Sequence, residues 1–144
     1  MWQTVRALGI VTVLLGVLFA AGAARADNAS DQAAIVAVIQ SQLDAFQRDD
    51  GAAAFSHAAP GIRARFGSAD NFMAMVRGGY SSVYRPQSVE FLDLITYQGV
   101  PAQRVLFVGP DGEPVIAIYP MEQQADGSWR IAGCILERVP SEAA

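Results

Sequence analysis

The chain has no lysine, a single histidine and a single cysteine, and these scarcities exclude several kinds of chemistry at the outset. One cysteine makes no intramolecular disulfide, whatever the redox state of the compartment. His57 and Cys134 are far apart in the sequence and make no zinc site, and no Asp-rich calcium loop occurs. No glycine-rich phosphate loop follows a strand pattern, and nothing calls for a cofactor. All ten basic residues are arginine, none forms part of a basic run, and the net charge is −4. An acidic chain without a basic stripe repels phosphate backbones, so nucleic acid is excluded as the expected partner.

There is one long apolar run. Residues 1–6 carry a single charge, Arg6, residues 7–21 (ALGIVTVLLGVLFAA) are almost wholly apolar, and Ala24-Arg25-Ala26 sets small residues where a signal peptidase reads. That order predicts a cleavable signal peptide over residues 1–26 and a periplasmic or secreted protein. The alternative is an uncleaved anchor, but the run is shorter than the roughly 20 residues of a membrane-spanning helix. No cysteine sits near the cleavage point to be lipidated, and a lone arginine gives no twin-arginine signal. Residues 27–144, at −6 after the loss of Arg6 and Arg25, are sized for a single domain. They contain no second spanning run, so no membrane contact is expected after cleavage.

The first half of that domain has helical periodicity. Ile35, Val38, Ile39, Leu43 and Phe46 recur on one helical face within Asp31–Arg48, with Asn28 or Ser30 as the expected cap. Asp50 would cap a short helix over 51–58 that places Phe55 inward. Pro60-Gly61 predicts a turn, Ile62–Phe66 one helical turn closed by Gly67, and Ser68 the cap of a third helix over 69–77. Gly78-Gly79 is expected to stop that helix, and Tyr80–Pro86 to be a loop.

Beyond Pro86 the residues become β-branched and aromatic. Strands are predicted over 88–97, 103–108, 115–123 and 128–139, separated by Gln98-Gly99, Pro110-Asp111-Gly112 and Asp126-Gly127. The fold class is therefore α+β, with N-terminal helices packed on a four-stranded antiparallel meander. Pro114 and Pro120 are expected to mark the start of the third strand and a bulge in it. On that strand Ile116 and Ile118 oppose Val115, Ala117, Tyr119 and Met121; on the last, Trp129, Ile131 and Ile135 oppose Ala132, Cys134 and Leu136. A sheet apolar on both faces needs two covers. Helices supply one, and a homodimer through the free sheet face is the expected other.

The stretches Ala58–Gly67 (AAPGIRARFG), Asn71–Arg77 (NFMAMVR), Tyr80–Pro86 (YSSVYRP) and Asp126–Cys134 (DGSWRIAGC) together resemble a bacterial family catalogued as domain of unknown function 4864. The resemblance spans nearly the whole of residues 27–144 and implies an exported domain with no assigned activity. The order of helices and strands is also similar in architecture to the nuclear-transport-factor-2-like (cystatin-like) cone. That resemblance implies a pocket beneath a sheet whose free face dimerises; it implies no activity.

Candidate residues for chemistry are few. His57 is the one side chain suited to general base work near neutral pH, although no Ser-His-Asp or Cys-His order accompanies it. Asp93 shares its strand face with Val89, Phe91 and Ile95 if the strand is regular, and a carboxylate there would be a base of raised pKa. An arginine partner or a bulge would turn it outward instead. Asp49-Asp50 suits a helix end followed by a helix cap. Arg63, Arg65, Arg77 and Arg85, with Tyr80 and Tyr84, suit a pocket for a small anionic or polar ligand, with Arg63, Tyr80, Tyr84 and Arg85 the primary set. Their structural alternative is bridging to Asp70, Glu90 and Asp93. Cys134, in an apolar stretch, reads as a buried inert thiol.

Three functions follow from this inventory. The first is a non-enzymatic ligand-binding or protein-interaction module. The second is a small isomerase-like or hydratase-like pocket enzyme with His57 or Asp93 as base, and the third an accessory subunit of an envelope complex.

Overall fold

The computed structural model describes the backbone of residues 19–140 and the side chains of residues 27–140. The first eighteen residues of the expected signal peptide lie outside the described residues. Helix α1 runs over Phe19–Gln47, so Asn28 and Ser30 lie inside it and cap nothing. The alanine-rich segment before them has high helix propensity and carries the helix past the expected start. Ile35, Ile39, Leu43 and Phe46 are almost wholly buried along one face of α1, each contributing about 1.5–3 kcal/mol of apolar transfer.

Four short helices follow. Asp50 caps α2 (Gly51–Ser56) as expected, its side chain accepting the Ala53 N–H at 3.1 Å. Helix α3 (Pro60–Phe66) starts on Pro60, whose missing N–H costs nothing at a helix start, and ends on Gly67 at φ 76°. Ser68 caps α4 (Ala69–Gly79), which buries Phe72, Met73 and Val76. Gly78 and Gly79 do not stop α4; both are helical, and Tyr80 closes it by donating its N–H to the Val76 carbonyl. The expected loop after Tyr80 contains a further turn, α5 (Ser81–Tyr84).

The sheet is antiparallel and has five strands: β1 (Ser88–Tyr97), β2 (Val100–Val108), β3 (Pro114–Gln123), β4 (Trp129–Ile131) and β5 (Ile135–Arg138). The first three form the expected meander, and β4 and β5 both pair with β3. Met121 to Gln123 pair with β4 and Val115 to Ile118 with β5, so the two are one interrupted strand on one edge of β3. The interruption corrects the expected strand 128–139. It shifts the alternation by one residue: Ile131 and Leu136 both face the helices, whereas Ile135 pairs with Ile118 on the opposite face.

The core lies between α1, α4 and the sheet face bearing Val105, Phe107, Ala117, Tyr119 and Met121. On the outer face Ala102 and Ile118 are buried yet stand apart from that core, beside half-buried Ile95, Leu106, Ile116 and Ile135. A β-bulge between Phe91 and Leu94 interrupts β1. It is filled by Gln103, which is wholly buried and donates through Nε2 to the Leu92 and Arg104 carbonyls, each at 2.9 Å. Its Oε1 accepts from Gln32 Nε2 of α1 at 3.3 Å. An apolar residue there would take a donor from the part-buried Leu92 and Arg104 carbonyls, leaving Leu92 only Gln32, and would remove the Gln32 acceptor, at a cost of about 1–3 kcal/mol. Gln103→Leu is therefore expected to lower the unfolding free energy by that amount in urea titration. A loss under about 0.5 kcal/mol would mean the bulge carbonyls find other donors.

Candidate functional site

Between the helices and the interrupted strand lies a cavity of about 360 Å³. Its apolar wall is Phe46 from α1, Phe72 and Val76 from α4, Ile62 and Phe66 from α3, and Ile131 from β4. Helix α3 has no fully buried residue and covers the cavity with Ile62 and Phe66, the latter 5.8 Å from Phe72 in an edge-on ring contact. The interrupting residues Ala132, Gly133 and Cys134 form the opposite wall.

Five polar side chains reach this space. Gln42, 4% exposed, is anchored by its Nε2 on the Ala54 carbonyl at 3.1 Å. Tyr80 donates its hydroxyl to the Cys134 carbonyl at 3.0 Å. Burial foremost, and then Cys134, raise the Tyr80 pKa, while Arg65 at the edge of the cavity pulls it the other way. The Cys134 thiol is pushed up to about 12 by burial, so it is a neutral, unreactive group at physiological pH. Tyr119 is 1% exposed, and burial raises its hydroxyl well above the usual phenol range. That hydroxyl has no hydrogen-bond partner of acceptable geometry among the described residues; its neighbour is the Cys134 thiol.

The candidate residues from the sequence are dispersed. Tyr80 lines the cavity, and Arg63 lines a second, more open groove with Phe55, Asp126 and Arg130. Tyr84 and Arg85 line neither; both half-buried, they form a latch with exposed Asp49. Arg85 pairs with Asp49 at 3.0 Å, stacks 4.0 Å above the Tyr84 ring and donates to the Phe46 carbonyl at 2.6 Å. Tyr84 donates its hydroxyl to Asp49, and this bond, with Arg85 beside it, holds the Asp49 carboxyl below its usual pKa. Arg77 donates to the Tyr84 hydroxyl at 3.5 Å. The latch thus ties α5 to α1, and the expected bridges to Asp70, Glu90 and Asp93 do not form.

Asp93 lies outside the cavity. The bulge turns it to the exposed side of β1, where it pairs with Arg104 at 2.6 Å. The Arg104 hydrogen bond lowers its pKa, the opposite of the rise expected on an apolar face. His57 is half-buried at the end of α2 and also outside the cavity. Its carbonyl accepts the Ile131 N–H at 2.8 Å, which fixes it against β4. Neither candidate base meets a tyrosine hydroxyl in a closed pocket. Tyr119 and Gln103 were missed as polar residues of the interior because both sit in strand patterns where alternation alone marks a core position.

Among the described residues no group of three His, Cys, Asp or Glu comes close enough to hold a metal ion, and no helix is long and apolar enough to cross a membrane. Fold and cavity together define an α+β domain with an apolar, hydroxyl-lined chamber between its helices and its sheet. The chain belongs to the family described as Domain of unknown function (DUF4864), whose model matches residues 28–144. No curated protein and no solved structure matches it.

The electrostatics of His57 can be tested directly. Burial first, and the Arg130 charge second, disfavour its imidazolium and lower its pKa below 6.5. The neutral form is favoured in the fold, so the unfolded chain takes the proton first and this group destabilises the protein as pH falls through 6.5. An NMR titration is expected to give a midpoint below 6.5. Arg130→Gln should move it upward without reaching the unperturbed value, and a wild-type midpoint at or above that value would contradict the burial of the ring.

Proposed function

We propose that this domain is an exported, non-enzymatic binder of a small, largely apolar molecule, held in the cavity between α3, α4 and the interrupted strand. The observation that carries this reading is the buried hydroxyl of Tyr119, whose polar neighbour is the Cys134 thiol, a weak partner out of good hydrogen-bond geometry. A buried polar group without a good partner costs about 1–3 kcal/mol, and an acceptor on a molecule in the cavity would remove that cost. The cavity lies within the size range of small-molecule sites, and its balance of many apolar walls and few convergent polar groups is that of a binding pocket. At about 30 Å³ per water-sized volume it has room for roughly a dozen non-hydrogen atoms.

Export is supported by the charged, apolar and small-residue order of residues 1–26, and the family match covers the part that cleavage would leave. A homodimer draws its support from the half-buried Ile95, Leu106, Ile116 and Ile135 of the outer face, which it would cover further; Ala102 and Ile118 between them are already buried in the single chain. A long helix against an antiparallel sheet supports kinship of architecture with the nuclear-transport-factor-2-like cone. The pocket-enzyme alternative draws no support from a cavity that His57 and Asp93 do not line.

Native mass spectrometry of the protein purified from the envelope of a producing cell reads all three points. The expected result is a chain shortened by its first 26 residues, a dimer, and an added mass that leaves on denaturation. Tyr119→Phe separates ligand from structure, because the two effects have opposite signs. Removing an unsatisfied hydroxyl should stabilise the empty protein by about 1 kcal/mol. The same change should weaken ligand retention about tenfold, one lost hydrogen bond to a buried partner. A variant less stable than the parent when empty would mean that Tyr119 already has a partner, and the reading would fall.

A further inference from the structure

The cavity has one formal charge in its lining, and that charge is positive. Arg65, next to last in α3, is the cation; none of the lining residues is Asp or Glu. In a chain of net charge −4 this is a local reversal of sign. Most other arginines are already engaged: Arg48 with Asp50, Arg85 with Asp49, Arg104 with Asp93, Arg130 with the Ser56 carbonyl and Arg77 with the Tyr84 hydroxyl. Arg65 makes no ion pair and no side-chain hydrogen bond among the described residues. Its guanidinium stands 6.0 Å from the centre of the Phe66 ring, one of the rings lining the cavity, with none of its donors taken by the described residues.

We infer that the cavity takes an apolar monoanion, a carboxylate of about a dozen non-hydrogen atoms whose head is gripped by Arg65 at the mouth while its body lies against Phe46, Phe72 and Val76. This rests on the cavity being a ligand site. A guanidinium presents a planar pair of donors that fits a carboxylate at two points. An ammonium head would meet the same charge with no acidic residue to offset it, and a neutral head would leave the arginine's donors to water. The interior accepts no second charge. Tyr119 and Cys134 are neutral, and burial raises the cost of ionising either. The ligand therefore enters uncharged end first, with a neutral acceptor toward that end meeting the Tyr119 hydroxyl, and Arg65 sets the selectivity of the site for its head group.

The probes are decanoate and 1-decanol, alike in length and unlike in charge, titrated at pH 7 and low ionic strength into the isotopically labelled protein. The backbone amide signals of Ala132 and Gly133 are the reporters, since both residues line the cavity. Decanoate is expected to bind about five- to tenfold tighter than 1-decanol, with the advantage shrinking as salt screens an exposed arginine. Arg65→Gln should erase the difference by weakening decanoate alone. Equal or tighter binding of 1-decanol, or a preference that survives Arg65→Gln, would overturn the anion inference and leave the cavity as a binding site. If neither probe moves the Gly133 amide, the binding reading itself falls, and this inference with it.

Discussion

The missing N–H of Pro120 is the constraint from which the cavity follows. In a strand the N–H and C=O of one residue point to the same neighbour. The Pro120 carbonyl accepts the Ala132 N–H at 2.8 Å, so the proline's absent donor also faces the last strand. Proline is tolerated inside a sheet only where the ladder is already broken, and here three residues, Ala132 to Cys134, pass two on β3, Tyr119 and Pro120. The extra residue shifts the alternation of the last strand and bares backbone groups toward the helices. Tyr80 answers one of them by donating to the Cys134 carbonyl. A regular last strand would instead close the sheet where the cavity wall now stands.

Tyr80 can reach that carbonyl because the corner between α4 and α5 is fixed from the other side. Tyr80 ends α4 and begins α5, and the residues after it carry the latch. Arg85 adds a charged donor to the Phe46 carbonyl near the C-terminus of α1, which also accepts the Asp49 N–H at 3.1 Å. It also bonds Asp49, which sits at φ 53° just beyond that helix. The arginines and tyrosines that resemble a ligand set in the sequence thus divide by task. Tyr84, Arg85 and Arg77 hold a corner, and Tyr80 and Arg65 face the chamber that the corner positions.

Much of this architecture was legible in the chain, because local signals carry their own geometry. Ser68 and Asp50 are helix caps whatever surrounds them, and Pro114 marked the start of β3 as its neighbours suggested. Helix α1 showed its buried face through the spacing of Ile35, Ile39, Leu43 and Phe46. What was hidden depends on partners distant in sequence. The face of Asp93 follows from a bulge, and the bulge is filled by Gln103, ten residues away, and braced by Gln32 of α1. The parity of Leu136 follows from the interruption before it, which no alternation within residues 128–139 discloses. Gly78-Gly79 carried a stop signal that packing overruled, since Val76 is buried just before them and Tyr80 completes the turn.

Gln103 and Tyr119 pose the same question with opposite answers. They pair across β2 and β3 on the helix-facing side of the sheet, and both are buried to within 1%. Gln103 has its amide satisfied at both ends, by the Leu92 and Arg104 carbonyls and by Gln32. A buried polar group so fully bonded specifies a fold, because no other register gives it those partners. Tyr119 is buried in the same register, yet its hydroxyl has no hydrogen-bond partner among the described residues and borders a cavity. Phenylalanine would fill the same volume there without stranding a donor. Local rules of satisfaction hold across most of a folded sequence and fail where function requires it. By that criterion Gln103 belongs to the architecture, and Tyr119 is the residue on which the proposed binding site turns.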